Sequence, residues 1–469
     1  MRRKRNRQDE FDFQPSNLKV TNDYFRRYAV IDDILRETPA LLDPVHRDLK
    51  KAIDGERKRN RKFDFTSETV LRMVIVQKLE AESQRGLVIR IDDSHFLRRF
   101  VGIYNGKMMN FTTYCNLKNA IRPKTWEKVN RALSKAAVAA GRISGEALRI
   151  DTTAVETNIH YPTDSSLLWD VYRVLARLVR EAREIDPEAI GDRRLQDKTA
   201  KRHATWISRK AGKKGSAGAA LKERYNALFG LIDTILVWAD DVATTLREGL
   251  EQDAYIYDGA LLAEVLAEDF DRYLPLGRRV LDQAQRRVLG GEIVPATEKL
   301  YSIFEEHTEL LKRGKAGKPI EFGHMVQLQQ VESKYIADYA VFSRKPNEHT
   351  LIDPALESHR ALFGADPKVL SADKGYYESM DKIARLDETI GVVSIGKKGR
   401  RNEAEIRSEH SDAFRAGQRF RAGIEGSISF LKRALRLARC FNKGWKHFVA
   451  TVGATVFAHN LLVLARGYG

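Results

Sequence analysis

The spacing of apolar and polar positions divides the chain into helical ends, a long helical middle and two stretches with strand character. Residues 1–60 are polar and charged, and read as a loose basic arm followed by a helix around Pro44–Ile53. A clear helical signal begins at Phe65-Thr66-Ser67-Glu68: Thr66 is placed to cap, and Leu71, Val74, Ile75 and Leu79 follow at the spacing of one helix face. Short helices are predicted over Ser83–Ile91 and Phe96–Phe100, and a longer one over Thr125–Ala140, after which Gly141 and Gly145 mark a boundary. Three short helices with tight turns fit a helix-turn-helix DNA reader, and equally a small bundle that serves only packing or dimerisation.

From Ala147 the period shortens towards two, through Ile150 to Val155 and Ile159, giving a hairpin candidate that Pro162 ends. Asp164 or Ser165 then caps a long helix with Leu168, Val171, Val174, Leu175 and Leu178 on its apolar side. Helical or charged sequence continues to about Arg313, with Leu228, Leu231, Ile235 and Trp238 on one face and a loop at residues 212–218. Strand character returns at His324–Gln329 and Tyr335–Phe342. A helix over Leu351–Phe363 precedes short strands at Val369-Leu370 and Val392–Ile395, and helices fill most of 403–467. Removing the helical block leaves the strand-rich parts close enough in sequence to share one sheet. The expected division is a basic arm and linker (1–60), a helical N-terminal domain (61–143), a first core segment (144–164), a helical insertion (165–312), and the rest of the core with C-terminal helices (313–469).

Charge narrows the partners. The 469 residues carry 81 Lys+Arg against 64 Asp+Glu, a net charge of +17, which favours nucleic acid ahead of acidic membranes. The excess is clustered at residues 1–7, 193–224 and 397–439, as phosphate tracking requires. Two cysteines, Cys115 and Cys440, exclude a disulfide scaffold or a multi-cysteine zinc module and suit a reducing cytoplasm. The basic N-terminus has no apolar core of a signal peptide behind it. Val449–Ala465 is very apolar, but His459, Asn460 and two threonines interrupt it, so it reads as a buried helix and no membrane is expected.

Three carboxylates stand in settings that suit metal-dependent cutting of DNA. Asp151 lies in the strand-like Leu148-Arg149-Ile150-Asp151-Thr152-Thr153, and Asp373 closes the apolar run Val369-Leu370-Ser371-Ala372 ahead of Lys374-Gly375-Tyr376. Glu425 follows Arg421-Ala422-Gly423-Ile424 in a basic helix. Ile424, Ile428, Leu431, Leu435 and Ala438 form one stripe, and Arg421, Glu425, Lys432, Arg436 and Arg439 a neighbouring one. Gly423 and Gly426 each weaken a helix by about 1 kcal/mol, so that helix is expected to begin near Ile424. Two strand-borne aspartates and a helix-borne glutamate are what a ribonuclease-H-like nuclease uses to hold paired divalent ions. Cutting a phosphodiester needs an activated water, neutralisation of developing charge and support for the departing oxygen; two Mg²⁺ ions about 4 Å apart supply all three. Carboxylate oxygens suit that hard ion, and the scattered histidines do not. The expected fold is therefore an α/β core, a ribonuclease-H-like mixed sheet flanked by helices, with an all-α N-terminal domain and a large all-α insertion.

These segments resemble the DDE transposases of bacterial insertion sequences, specifically the ISNCY-like group. Asp151-Thr152-Thr153-Ala154-Val155-Glu156-Thr157-Asn158 is similar to that family's first-aspartate segment, and Ala372-Asp373-Lys374-Gly375-Tyr376 to its second. Arg421, Glu425 and Lys432 reproduce the Arg-x3-Glu-x6-Lys part of a related signature that begins with Tyr. Gln418 stands at the Tyr position here, with Phe420 or Tyr376 as candidate substitutes. Phe65–Phe100 is similar to the helical N-terminal domain of such enzymes, and the resemblance spans about 60–467, weakest over 180–312. It implies that Asp151, Asp373 and Glu425 are catalytic and ligate two Mg²⁺ ions, with Mn²⁺ as a substitute. It also implies that Arg421 and Lys432 hold DNA phosphates; Arg436 on the same stripe and Lys374 beside Asp373 complete the expected DNA-binding set. The implied reaction cuts the terminal inverted repeats of the element and joins the 3′-hydroxyl ends to target DNA, in a homodimer or higher assembly acting in the bacterial cytoplasm at the nucleoid. Two alternatives stand beside it: a nuclease without strand transfer, and a catalytically inactive DNA-binding regulator.

Overall fold

The computed structural model describes residues 4, 16–55, 65–104, 106–211, 218–315 and 318–466. Most of the basic cluster at residues 1–7 and most of the 212–218 loop lie outside them.

Val, Ile and Thr side chains favour an extended, half-buried backbone, and residues 147–157 are rich in them. They form one long strand, β1 (Ala147–Thr157), where the sequence suggested a hairpin. The chain does not turn back because β1 is paired on both edges by distant segments. The other strands are β2 (Glu309–Lys315), β3 (Lys318–Gln330), β4 (Ile336–Val341), β5 (Val369–Ala372), β6 (Val392–Ile395) and the short β7 (Arg439–Cys440). β1 runs antiparallel to β3, from Arg149 opposite Gln330 to Glu156 opposite Gly323. On its other edge it runs parallel to β5, from Ala147 beside Val369 to Arg149 beside Ser371. β3 pairs antiparallel with β4, β5 pairs parallel with β6, and β7 lies parallel to the end of β1. β2 neighbours β3.

The chain separates into two compact units, Met1–Asn158 with Gly323–Gly469, and Ile159–Phe322. In the first unit, the early helices and the sheet share one apolar core that includes Tyr28, Phe100, Trp126, Leu148, Ile150, Val326 and Phe457. Thr66, Ser83 and Ser94 each cap a helix by accepting a backbone N–H, at 3.0, 2.9 and 3.2 Å. The helix Lys19–Glu37 was not expected in the polar N-terminal stretch. Its buried face, Tyr28, Ile31 and Ile34, is interrupted by an equally buried acid, Asp32, which Arg72 holds at 2.6 Å and Arg36 at 2.7 Å.

Trp445–Arg466 is long and apolar enough to cross a membrane, yet 83% of its most apolar window is buried inside the protein. Asn460, an oddity in that run, has a structural role. Its amide receives the Ile336 N–H at 3.0 Å and donates to the Ile336 carbonyl at 2.8 Å, satisfying both backbone groups at the start of β4.

In the second unit, helices Asp164–Ile185, Asp197–Lys210, Gly218–Glu251 and Tyr257–Val288 pack around Leu168, Val171, Leu175, Leu178, Leu228, Ile235 and Phe270. The first is capped by Thr163, one residue before the expected Asp164, because Thr163 and Ser166 form a reciprocal capping box.

Candidate acidic active site

The sheet register brings two of the three predicted acids together. Arg149 on β1 is the register partner of Ser371 on β5. Two residues beyond that pair lie Asp151, still within β1, and Asp373, the first residue after β5, whose backbone remains extended (φ −80°, ψ 176°). Each acid is steadied by its own backbone: Asp151 Oδ1 accepts the Thr152 N–H at 2.7 Å, and Asp373 Oδ1 accepts the Gly375 N–H at 2.7 Å. The second bond caps the turn Lys374–Tyr376. Burial first, and then the charge of Asp373, push the Asp151 carboxyl up to about 6; Glu348 adds to the rise, while the Thr152 N–H and Arg421 oppose it. Two carboxylates near one another offer hard oxygen donors to a cation.

The helix Asp412–Arg433 crosses this face and packs on β1, β5 and β6. It runs unbroken through Gly423 and Gly426, contrary to the expected start near Ile424, because two of its glycines are contact points. A Cβ at Gly417 would lie 2.5 Å from the Ser394 Cβ, and one at Gly423 would lie 2.3 Å from Arg149 Nη1. Under the helix runs a row of polar side chains. Arg149, only 5% exposed, donates from Nε to Gln330 Oε1 at 2.8 Å and from Nη1 to the Phe420 carbonyl, and its guanidinium lies 4.5 Å from the Phe420 ring centre. Gln330 Nε2 donates to Ser427 Oγ at 2.8 Å. Gln418 donates to the Ser394 carbonyl at 2.7 Å, so the residue at the family's Tyr position anchors the helix to β6. Of the two candidate substitutes, Phe420 serves Arg149, whereas buried Tyr376 lies within the field of Asp151, Glu348 and Asp373.

Glu425 is not gathered with the two aspartates. It is 67% exposed and pairs with Arg421 at 3.6 Å. Arg421 is the link, since its charge also bears on Asp151. The helix stops at Arg433, so the single basic stripe predicted through Arg439 breaks after Lys432. Arg436 adopts a left-handed backbone (φ 57°) and donates to the Ala81 carbonyl at 2.8 Å. Arg439 enters β7 and pairs with Glu156 at 2.8 Å. Leu437, not Ala438, takes the buried place beyond Leu435. Lys374 is exposed next to Asp373.

Sequence reasoning missed Glu348. It opens a short turn (Glu348–Leu351) ahead of the helix Ile352–Phe363 and accepts the Thr152 hydroxyl on Oε1. A Cβ on Gly375 would lie 2.0 Å from Glu348 Oε2 and 2.9 Å from Asp373 Oδ1, so both carboxylates share the space over one glycine. Nothing local marks Glu348: it is one acid among 64, in a loop with no periodic pattern.

The donor set suits a hard divalent cation, because the gathered groups are carboxylate oxygens whose mutual repulsion a cation would relieve. Among the described residues no three acid, His or Cys side chains are already arranged to hold an ion together.

Residues 315–461 match the family model described as the transposase DDE domain. That span contains Asp373, Glu425, Glu348, Arg421, Lys432, Lys374 and Arg436, but not Asp151. The comparison with curated proteins and that with solved structures each give no match.

Proposed function

We propose that this chain, whose residues 315–461 match the transposase DDE domain, is a DDE-type transposase that cuts the ends of an insertion sequence and joins the freed 3′-hydroxyls to target DNA. The proposed centre is Asp151, Asp373 and Glu425, holding two divalent cations, Mg²⁺ with Mn²⁺ as a substitute. One observation carries the reading: Asp151, outside the matched domain, sits beside Asp373, inside it, through the β1–β5 register.

The strand order and directions support a ribonuclease-H-like core. β4, β3 and β1 are antiparallel in turn, and β1, β5 and β6 are parallel. When bound, the cations supply an activated water and charge neutralisation at the scissile phosphate. Asp151, within β1, and Asp373, just past the end of β5, would hold those cations through their carboxylate oxygens. Arg421 lowers the cost of keeping Asp151 ionised, and on DNA binding its guanidinium is free to exchange Glu425 for a phosphate oxygen, which is the better bidentate partner. Glu425 then turns towards the aspartates. Lys432, Lys374 and Arg436 are proposed to hold neighbouring phosphates, with the helical region 61–143 and the insertion 165–312 gripping DNA ends in a homodimer or larger assembly. The net charge of +17 supports DNA as the partner.

The test is incubation of purified full-length protein with DNA carrying the element's terminal repeats and with Mg²⁺ or Mn²⁺. Metal-dependent cutting and joining, both lost in Asp151→Asn, is expected. Cutting without joining favours a plain nuclease, and binding without cutting favours a regulator.

A further inference from the structure

We propose that Glu348 is a working carboxylate of this centre, lending an oxygen to a cation held by Asp151 and Asp373 before DNA arrives; this rests on the reading of those two aspartates as cation ligands. Three observations place it there. Its Oε1 is bonded by the hydroxyl of Thr152, the residue next to Asp151. Its Oε2 overhangs Gly375, whose N–H holds Asp373. β5 ends at Ala372, so beyond that point no strand residue separates Glu348 from the space beside Asp373.

The physical argument is one of charge. Glu348 is half-buried beside two other acids, and among the described residues no Lys, Arg or His pairs with it. An acid so placed offers its oxygens to a cation that occupies the space between. Gly375 keeps that space clear: any side chain there would meet the Glu348 carboxylate. Glu425, by contrast, already has a cationic partner in Arg421 and faces solvent. Glu348 therefore belongs to the DNA-free site and Glu425 to the DNA-bound one.

Mn²⁺ binding to the DNA-free full-length protein, followed by the loss of the free-ion paramagnetic signal, tests this without any turnover. Asp151→Asn and Asp373→Asn are expected to weaken binding at least tenfold, and Glu348→Gln about tenfold, while Glu425→Gln stays within about twofold of the unmodified chain. Glu348→Gln preserves an acceptor for the Thr152 hydroxyl, so the surroundings of Asp151 are kept. Wild-type affinity in Glu348→Gln, with binding lost in the two aspartate variants, overturns the role of Glu348 alone. Wild-type affinity in the aspartate variants as well overturns the cation centre on which it rests.

Discussion

Asp151 and Asp373 each stand two residues beyond a register pair, Arg149 and Ser371, of the parallel strands β1 and β5, Asp151 still within β1 and Asp373 just past the end of β5. Backbone pairing brings the two segments together, and the turn that follows Asp373 is held by its carboxylate on the Gly375 N–H. The helix that carries Arg421 and Glu425 is fixed over the same row by Arg149, Gln330 and Gln418.

The burial of Asp151, with the charge of Asp373 adding to it, has a pH signature. The folded chain holds the Asp151 proton up to about 6, against an ordinary value of 3.8. Protonation therefore favours the folded state: this contribution is fully present below the ordinary value and is lost as pH rises through about 6. Metal-free Asp151→Asn is expected to be more stable than the unmodified chain at pH 8 by roughly 1–2 kcal/mol, with the gap closing towards pH 4. Urea unfolding at several pH values, compared between the two proteins, measures it; a gap independent of pH contradicts the burial of an ionised Asp151.

Arg421 opposes that rise, so replacing it moves the same titration upward. Arg421→Gln is expected to shift the acid limb of the cutting rate to higher pH as well as to lower the rate. A pH–rate profile that falls uniformly, with no shift, assigns Arg421 to DNA contact only.

Gly417 and Gly423 both sit inside the helix Asp412–Arg433, where Ala would ordinarily be stabilising by about 1 kcal/mol. Here the sign reverses at Gly417, where the Cβ would meet the Ser394 Cβ at 2.5 Å. Gly417→Ala should destabilise by about 1–3 kcal/mol, as overpacking does. Gly423→Ala should cost less, since the clashing atom is the end of a long side chain. Thermal unfolding of both variants checks the order.

Arg149 is a buried cation that has no carboxylate partner among the described residues; it is held by a carbonyl, an amide oxygen and an aromatic face, and burial lowers its guanidinium to about 10. Arg149→Met leaves the Phe420 carbonyl and Gln330 unsatisfied. A loss of about 2–4 kcal/mol in unfolding free energy is expected, along with impaired cutting, because the helix bearing Arg421 loses its anchor.

What could be read from the sequence was what local pattern encodes. The apolar runs that end at Asp373 and pass through Asp151 announced strands, and Thr66 with its following apolar face announced a helix. Glu348 was invisible because it lies in a turn and is brought to the site only by tertiary pairing. The end of the basic helix was also invisible: no Gly or Pro marks Arg433, and Arg436 takes a left-handed backbone where glycine is usual. The helix Lys19–Glu37 was hidden by its buried ion pairs, which break the apolar pattern without exposing the face. Gly423 misled in the other direction, since spacing alone does not distinguish a helix breaker from a close approach to Arg149.

The most direct measurement is diffraction from crystals of the full-length chain soaked in Mn²⁺, with the ion located by its anomalous signal. A peak within coordination distance of both Asp151 and Asp373, about 2.0–2.3 Å from an oxygen of each, is expected. Manganese bound elsewhere, or touching only one of the two while the other stays turned away, would contradict a shared catalytic ion.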